Sequence, residues 1–358
     1  MRVSSFLRAG GALALAGLAA CADQPATSPS DVGAPALAKP SSGSEQAAIV
    51  KRAMARMNVR LAAAGSKLRV GKAELRYLAK AYDARSPTEI IANDRTHTFP
   101  TEWVPGDPRR DGRIGLTYVV DPQLQTFLTG LGFPVPVVEV AGTDFRLSSQ
   151  AELDGYIEEA MQAWRDRRCS DAPIVRVAVP AGTDPDLLDE FFLGLPAPSP
   201  TYVQLADIVQ AGWQPAEFFE AIRPGGSDAI LGITFTFVFV DDQGTPDPSD
   251  DVETDINRDR EFDTALVEIY YNPVFIYTNR GAPGFVDFFS VLAHETGHGL
   301  GLAHFGKVFI TKKDNADGFQ LSDIKFAPKA LMNAVYVTGR DEIRGTDNGS
   351  FCQIWASK

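Results

Sequence analysis

Residues 291–306 read VLAHETGHGLGLAHFG, and they contain His294-Glu295-x-x-His298-x-x-Gly301-x-x-His304. On a helix, positions i and i+4 project from one face, so His294 and His298 can point at a single ion. Phe288, Phe289, Val291 and Leu292 supply the apolar side chains that bury the rest of that helix. The helix must then stop, so that a third ligand can turn back. Gly301 adopts a positive φ at no steric cost, which is what the bend requires, and His304 reaches the same ion. Three neutral imidazoles at about 2.0–2.1 Å suit Zn²⁺ and leave a fourth position for water. Zinc lowers the pKa of such a water to about 7. Glu295, next to the first ligand, is placed to take the water's proton and pass it to a leaving amine. The competing explanations are core histidines on a buried helix or a closed structural zinc site. Three of the chain's four histidines in one short stretch, with Glu and Gly in register, argue against both. The fourth, His97, reads as a loop residue.

Outward from this stretch, the 358-residue chain is 22% charged and 44% hydrophobic, a globular composition that excludes a disordered chain and a multi-span membrane protein. The length allows two or three domains at about 100–200 residues each. The formal net charge of −12 repels phosphate backbones, so no nucleic-acid partner is expected.

The N-terminus reads as an address. Arg2 and Arg8 precede an Ala/Leu/Gly run from Ala9 to Ala20, too short for a spanning helix of about 20 residues but suited to a secretory signal. Leu18-Ala19-Ala20-Cys21 resembles a bacterial lipobox, in which Cys21 becomes the acylated first residue; ordinary cleavage after Ala22 is the alternative. Either way export is expected, with lipid as the only membrane contact. Residues 1–21 are thus a signal peptide and 22–44 a flexible Ala/Pro/Ser/Gly linker.

Residues 45–110 read as an N-terminal helical, propeptide-like region. Ile49, Met54, Met57, Leu61, Leu68, Leu75 and Leu78 have amphipathic helical spacing, broken near Gly65 and Gly71, and a turn-rich stretch follows over 86–113. From 111 to 358 the pattern is α/β. Leu116–Val120, Ile174–Val179, Ile230–Val240 and Ala265–Tyr271 read as strands, and a helix starting at Ser148 or Ser149 runs to about Arg168. Residues 183–228 look like an insertion. Cys169 and Cys352 remain after Cys21; in an oxidising compartment they can pair, or stand as two buried thiols. Over 241–263, ten acidic residues stand against two arginines, so this loop carries −8 of the net charge. Within it Asp255, Asn257, Asp259 and Glu261 present alternating oxygens that would suit Ca²⁺, although the Gly and final Glu of an EF-hand loop are missing; a solvated acidic loop is the other reading.

The histidine pattern resembles the metzincin clan of zinc endopeptidases. Ala330-Leu331-Met332-Asn333 resembles the Met-turn of the matrixin branch, with Met332, 28 residues after His304, beneath the ligands. The resemblance is specific over about 286–336 and looser over 114–358. It implies an α/β (α+β) zincin fold: a twisted mixed sheet, an active-site helix, a Met-turn and a C-terminal helix. It also implies a protein or peptide substrate docked by strand addition on an edge strand above the metal helix, Ile230–Val240 and Ala265–Tyr271 both being candidates. A calcium role for the acidic loop gains weight, since the matching loop in matrixins binds that ion. Phe305 stands where matrixins usually carry Ser or Thr. No cysteine lies between Cys21 and Cys169 to cap the metal, and one spare histidine leaves no second zinc. Tyr336 sits near the position from which an astacin Tyr polarises the substrate carbonyl, but its offset favours a structural role. The expectation is a monomeric zinc endopeptidase, secreted or lipid-anchored. Its rivals are a surface lipoprotein that binds peptides or glycans without cleaving them, and a hydrolase of cell-wall amides.

Overall fold

Nine strands gather around the hydrophobic segment Ile230–Asp241 in the computed structural model of the chain, which describes residues 43–78, 101–121, 150–188, 198–275, 277–278, 286–310, 324–327, 329–336, 342–343 and 345–356. The signal peptide, most of the linker, Cys21 and His97 lie outside the described residues. The chain runs through helix α1 (Gly43–Ala63), strands β1 (Leu68–Leu78), β2 (Thr101–Glu102) and β3 (Leu116–Val120), helix α2 (Gln150–Arg165), and strands β4 (Ile174–Arg176) and β5 (Ile208–Trp213). Helix α3 (Ala216–Ile222) follows, then β6 (Ile230–Asp241), β7 (Val252–Glu253), β8 (Phe262–Tyr271), β9 (Tyr277–Thr278) and β10 (Val286–Asp287). The last part holds helix α4 (Phe288–Gly299), strands β11 (Lys307–Ile310), β12 (Ile324–Ala327) and β13 (Val335–Tyr336), and helix α5 (Gly345–Trp355). This is a mixed α/β architecture with five described helices, compatible with α+β.

The main sheet has the order β13-β1-β6-β8-β5-β3-β4, with β2 on β8 and β7 on β6. Strands β4, β3, β5 and β8 run parallel, while β6 is antiparallel to both β8 and β1. Both faces of the sheet are covered. Ile233, Phe235 and Phe237 of β6 join Met57, Leu61, Phe218 and Phe219 in one apolar cluster. A second cluster gathers Ile157, Met161 and Trp164 of α2 with Val291 and Leu292 of α4. A strand covered on two sides needs no polar alternation, which accounts for the nearly unbroken burial of β6 and β8.

Three expectations from the sequence differ from the structure. The segment Leu68–Leu78 is a strand, not helix: the register slips between Val70 and Lys72, so the two-residue rhythm changes phase at Gly71 and the apolar spacing mimics a helix. Residues 183–228 are not simply an insertion, since they contain β5, an all-buried strand in the middle of the sheet. Residues 41–358 form one compact unit. Buried Arg110, bonded to Asp207 and 4.8 Å over the Trp103 ring, fixes the 101–113 segment to the start of β5. Finally, neither candidate docking strand is an edge: β6 lies between β1 and β8, and β8 between β6 and β5. Strand order is a long-range property that local pattern does not encode.

Cys169, just after α2, and Cys352 of α5 form a disulfide with a Cα separation of 5.5 Å. No described helix is long and apolar enough to cross a membrane.

Candidate metal centre

The metal-binding pattern sits on α4, whose two ends are secured by local chemistry. At the N-terminus, the Asp287 carboxylate accepts the Ser290 N–H at 2.6 Å, and the Asp287 N–H donates to the Tyr336 hydroxyl at 2.7 Å. Tyr336 is therefore engaged in holding the helix entry. At the C-terminus, Gly301 N donates to His298 O and Leu302 N to Gly297 O, with Gly301 at φ +92°. These two bonds close a Schellman motif, whose left-handed position Gly301 occupies without a Cβ penalty. The chain emerges turned back over the helix, and His304 meets the two helical histidines.

The three rings converge. His294 Nε2 lies 3.2 Å from His304 Nε2 and 3.0 Å from His298 Nε2. Ligands at about 2.0–2.1 Å from a tetrahedral ion stand about 3.3 Å apart, so the spacing fits one metal. The opposite ring nitrogens fix the tautomers of His294 and His298. His294 Nδ1 is 2.8 Å from the Leu331 carbonyl, and His298 Nδ1 is 2.6 Å from the Leu302 carbonyl. A carbonyl only accepts, so each Nδ1 carries the proton and each Nε2 offers a lone pair. Burial, reinforced by Arg76 at His294 and by His304 at His298, holds both imidazoles well below the usual histidine range, hence neutral. Converging lone pairs in a buried site repel one another unless a cation lies among them. Among the described residues this is the one cluster of three or more His, Cys, Asp or Glu side chains able to hold a metal.

Glu295 is fully buried beside the first ligand. Its Oε2 accepts the Thr234 hydroxyl at 2.7 Å, while Oε1 has no hydrogen-bond partner. Burial pushes its carboxyl up to about 8; the Thr234 bond and Arg76 oppose that rise, and Glu74 adds to it. A cation held by the imidazoles would draw it back toward the ionised form. The fit against β6 is tight, for a Cβ on Gly232 would come within 2.9 Å of Glu295.

The turn Ala330–Asn333 closes the site from below. Asn333 N donates to Ala330 O, and the Asp347 carboxylate of α5 accepts both Leu331 N at 2.8 Å and Met332 N at 3.0 Å. Met332 lies against Gly297, where an added Cβ would meet its sulfur at 2.5 Å. Phe305 is buried and bonded to this turn through both backbone groups, its N–H to Met332 O and its carbonyl to the Asn333 amide.

The calcium candidates make local hydrogen bonds. Asp255 accepts the N–H groups of Asp259 and Arg260, Asp259 accepts that of Glu261, and Asn257 donates to Asp259 and Glu102. Among the described residues these carboxylates do not converge as the imidazoles do.

Several site residues escape a sequence reading. Arg76 of β1, buried, donates to the carbonyls of Ser290 and Leu331, bridging α4 and the turn below it. Burial lowers it to about 10, against the pull of Glu295 and Tyr336. Glu74, two residues earlier, lies 2.8 Å from His304 Nδ1 and 2.6 Å from Lys72 Nζ. Burial raises its pKa, but Lys72 and the imidazoles outweigh that and hold it well below the usual carboxylate range. The alternation Lys72-x-Glu74-x-Arg76 was the available signal, though in isolation it looks like a solvated strand face.

No protein-family model matches the chain, and no curated protein resembles it closely enough to count as a relative.

Proposed function

We propose that this chain is a zinc-dependent endopeptidase of metzincin type, exported and held at a membrane by lipid on Cys21. One observation carries the reading: the Nε2 atoms of three imidazoles converge beside a buried carboxylate with one unpartnered oxygen, Glu295 Oε1. His294, His298 and His304 would hold the ion, and a donor set of three imidazole nitrogens favours zinc over harder cations. Bound zinc supplies a Lewis acid for the scissile carbonyl and makes water acidic near neutral pH. Glu295 accepts the proton of the attacking water at Oε1 and delivers it to the leaving amine, while Thr234 keeps Oε2 fixed. The tight turn carrying Met332, the helix α5 behind it and the mixed sheet support the likeness to that clan. Peptide or protein is the substrate class, a reading supported by the likeness of the histidine pattern and the Met332 turn to that clan.

The test is Glu295→Gln. It is expected to retain one zinc per chain and to lose hydrolysis of a peptide library by at least about 100-fold, the scale of general-base catalysis. Wild-type cleavage by the variant, or cleavage unaffected by a zinc chelator, sinks the proposal. The anchor is tested separately: Cys21→Ser should move the chain from the membrane to the soluble fraction, and an unchanged distribution removes it.

A further inference from the structure

Strand β1 enters the metal centre from the far N-terminal side of the folded unit. Its register sets Lys72, Glu74 and Arg76 opposite Thr236, Thr234 and Gly232 of β6. Gly232 and Thr234 touch Glu295, so this row of β1 faces the same centre. Arg76 bonds the carbonyls of α4 and the lower turn; Glu74 lies at His304.

The three ligands are not supported alike. His294 and His298 each have Nδ1 on a backbone carbonyl, supplied by the turn below and by the helix cap. His304 stands on the segment after α4, and no described backbone carbonyl serves its Nδ1. What lies there is the Glu74 carboxylate, at 2.8 Å, an ion-pair distance with the ring N–H not aimed squarely along it. The other Glu74 oxygen is held at 2.6 Å by Lys72. Glu74 is 8% exposed, and a carboxylate is costly to bury unless cations or N–H groups answer it. A ligating histidine needs its second nitrogen occupied, because that contact sets the tautomer and the ring orientation.

We infer that Glu74 is a positioning residue of the metal centre, orienting His304 through Nδ1, so that the N-terminal strand β1 is a working part of the site. The inference rests on the metal reading above. It also opposes the propeptide-like reading of residues 45–110: removal of β1 would weaken metal binding, not unmask it.

The experiment measures zinc affinity of the full chain, stripped of metal, by competition with a chromophoric chelator, together with the visible spectrum of the cobalt-loaded form. Variants are Glu74→Met, which keeps bulk but removes the acceptor, and Glu74→Gln, which keeps a neutral acceptor. Loss of such an outer contact costs about 10–100-fold in metal affinity. Glu74→Met should show that loss and an altered cobalt spectrum, with Glu74→Gln recovering part of both. In a His304→Ala background, Glu74→Met should cause no further loss. If Glu74→Met does not fold, Glu74→Gln carries the test with a several-fold loss that likewise disappears in the His304→Ala background. The inference is overturned if the folded variants bind zinc within about twofold of wild type, or if the same factor is lost without His304. Failure of the wild-type chain to take up zinc overturns the metal reading along with it.

Discussion

Thr234→Val removes one hydroxyl from the centre and little else. Thr234 is wholly buried, and Val matches its shape. The hydroxyl donates to Glu295 Oε2 at 2.7 Å, and Oε1 is already without a partner. The variant therefore leaves the carboxylate with no described hydrogen-bond donor, dependent on the field of Arg76 and a metal cation. A hydrogen bond to a charged group contributes about 1.5–3 kcal/mol. If the reaction needs the carboxylate ionised and held in one orientation, that energy appears in the barrier, where about 1.36 kcal/mol is tenfold in rate. The expected loss in kcat/KM is thus roughly 10- to 150-fold. Zinc content should stay at one per chain, since no imidazole touches Thr234 among the contacts described. Thr234→Ser, which restores the donor, should return most of the activity. The assay is steady-state cleavage of a peptide selected from the library, with zinc measured on the same samples. Two results refute the reasoning: Thr234→Val within about threefold of wild type, or Thr234→Ser falling as far as Thr234→Val.

Two further predictions concern the scaffold. The disulfide spans a sequence separation of 183 residues; on the loop-entropy account it contributes about 5 kcal/mol. A unit of this size unfolds with an entropy of roughly 0.7 kcal/mol/K, so Cys169→Ala with Cys352→Ala should lower Tm by about 8 °C in scanning calorimetry; an unchanged Tm contradicts it. Glu102 is pushed up to about 7, by burial first and then by neighbouring Asp259. Between its ordinary value of 4.5 and about 7 the folded chain binds the extra proton, so this residue makes stability fall as pH rises through that window. Glu102→Gln should flatten that part of the urea-midpoint profile from pH 4.5 to 7; an identical slope in both proteins contradicts it.

How much of this was legible in the sequence depends on the range of each interaction. The helix carrying His294 and His298, the Gly301 bend and the return of His304 are set within eleven residues, by helical period and one positive φ, and all three could be read locally. The turn at Met332 was legible as a short motif, but what fixes it was not, because Asp347 comes from the terminal helix. The strand β5 was hidden because a segment covered on both faces has no alternation, and IVQAGW looks like any apolar stretch.

β1 was hidden for a different reason, and the one that matters most for function. Its charged row, Lys72, Glu74 and Arg76, has the alternation of a solvated strand, yet two of the three are buried. Their desolvation is tolerated because the partners that answer them are up to 255 residues away: carbonyls on α4 and the lower turn, and the His304 ring. Nothing near residue 74 announces those partners. The only local trace is Gly71, which looked like a helix breaker and is in fact where the strand changes phase. A local reading therefore detaches the N-terminal region from the centre that it completes. Charge buried on one strand and answered from distant elements is costly to assemble and strongly destabilising to break. Removing the segment would take Arg76 from the Ser290 and Leu331 carbonyls and Glu74 from the His304 ring, and it is on that ground that we infer β1 to be a part the metal centre keeps.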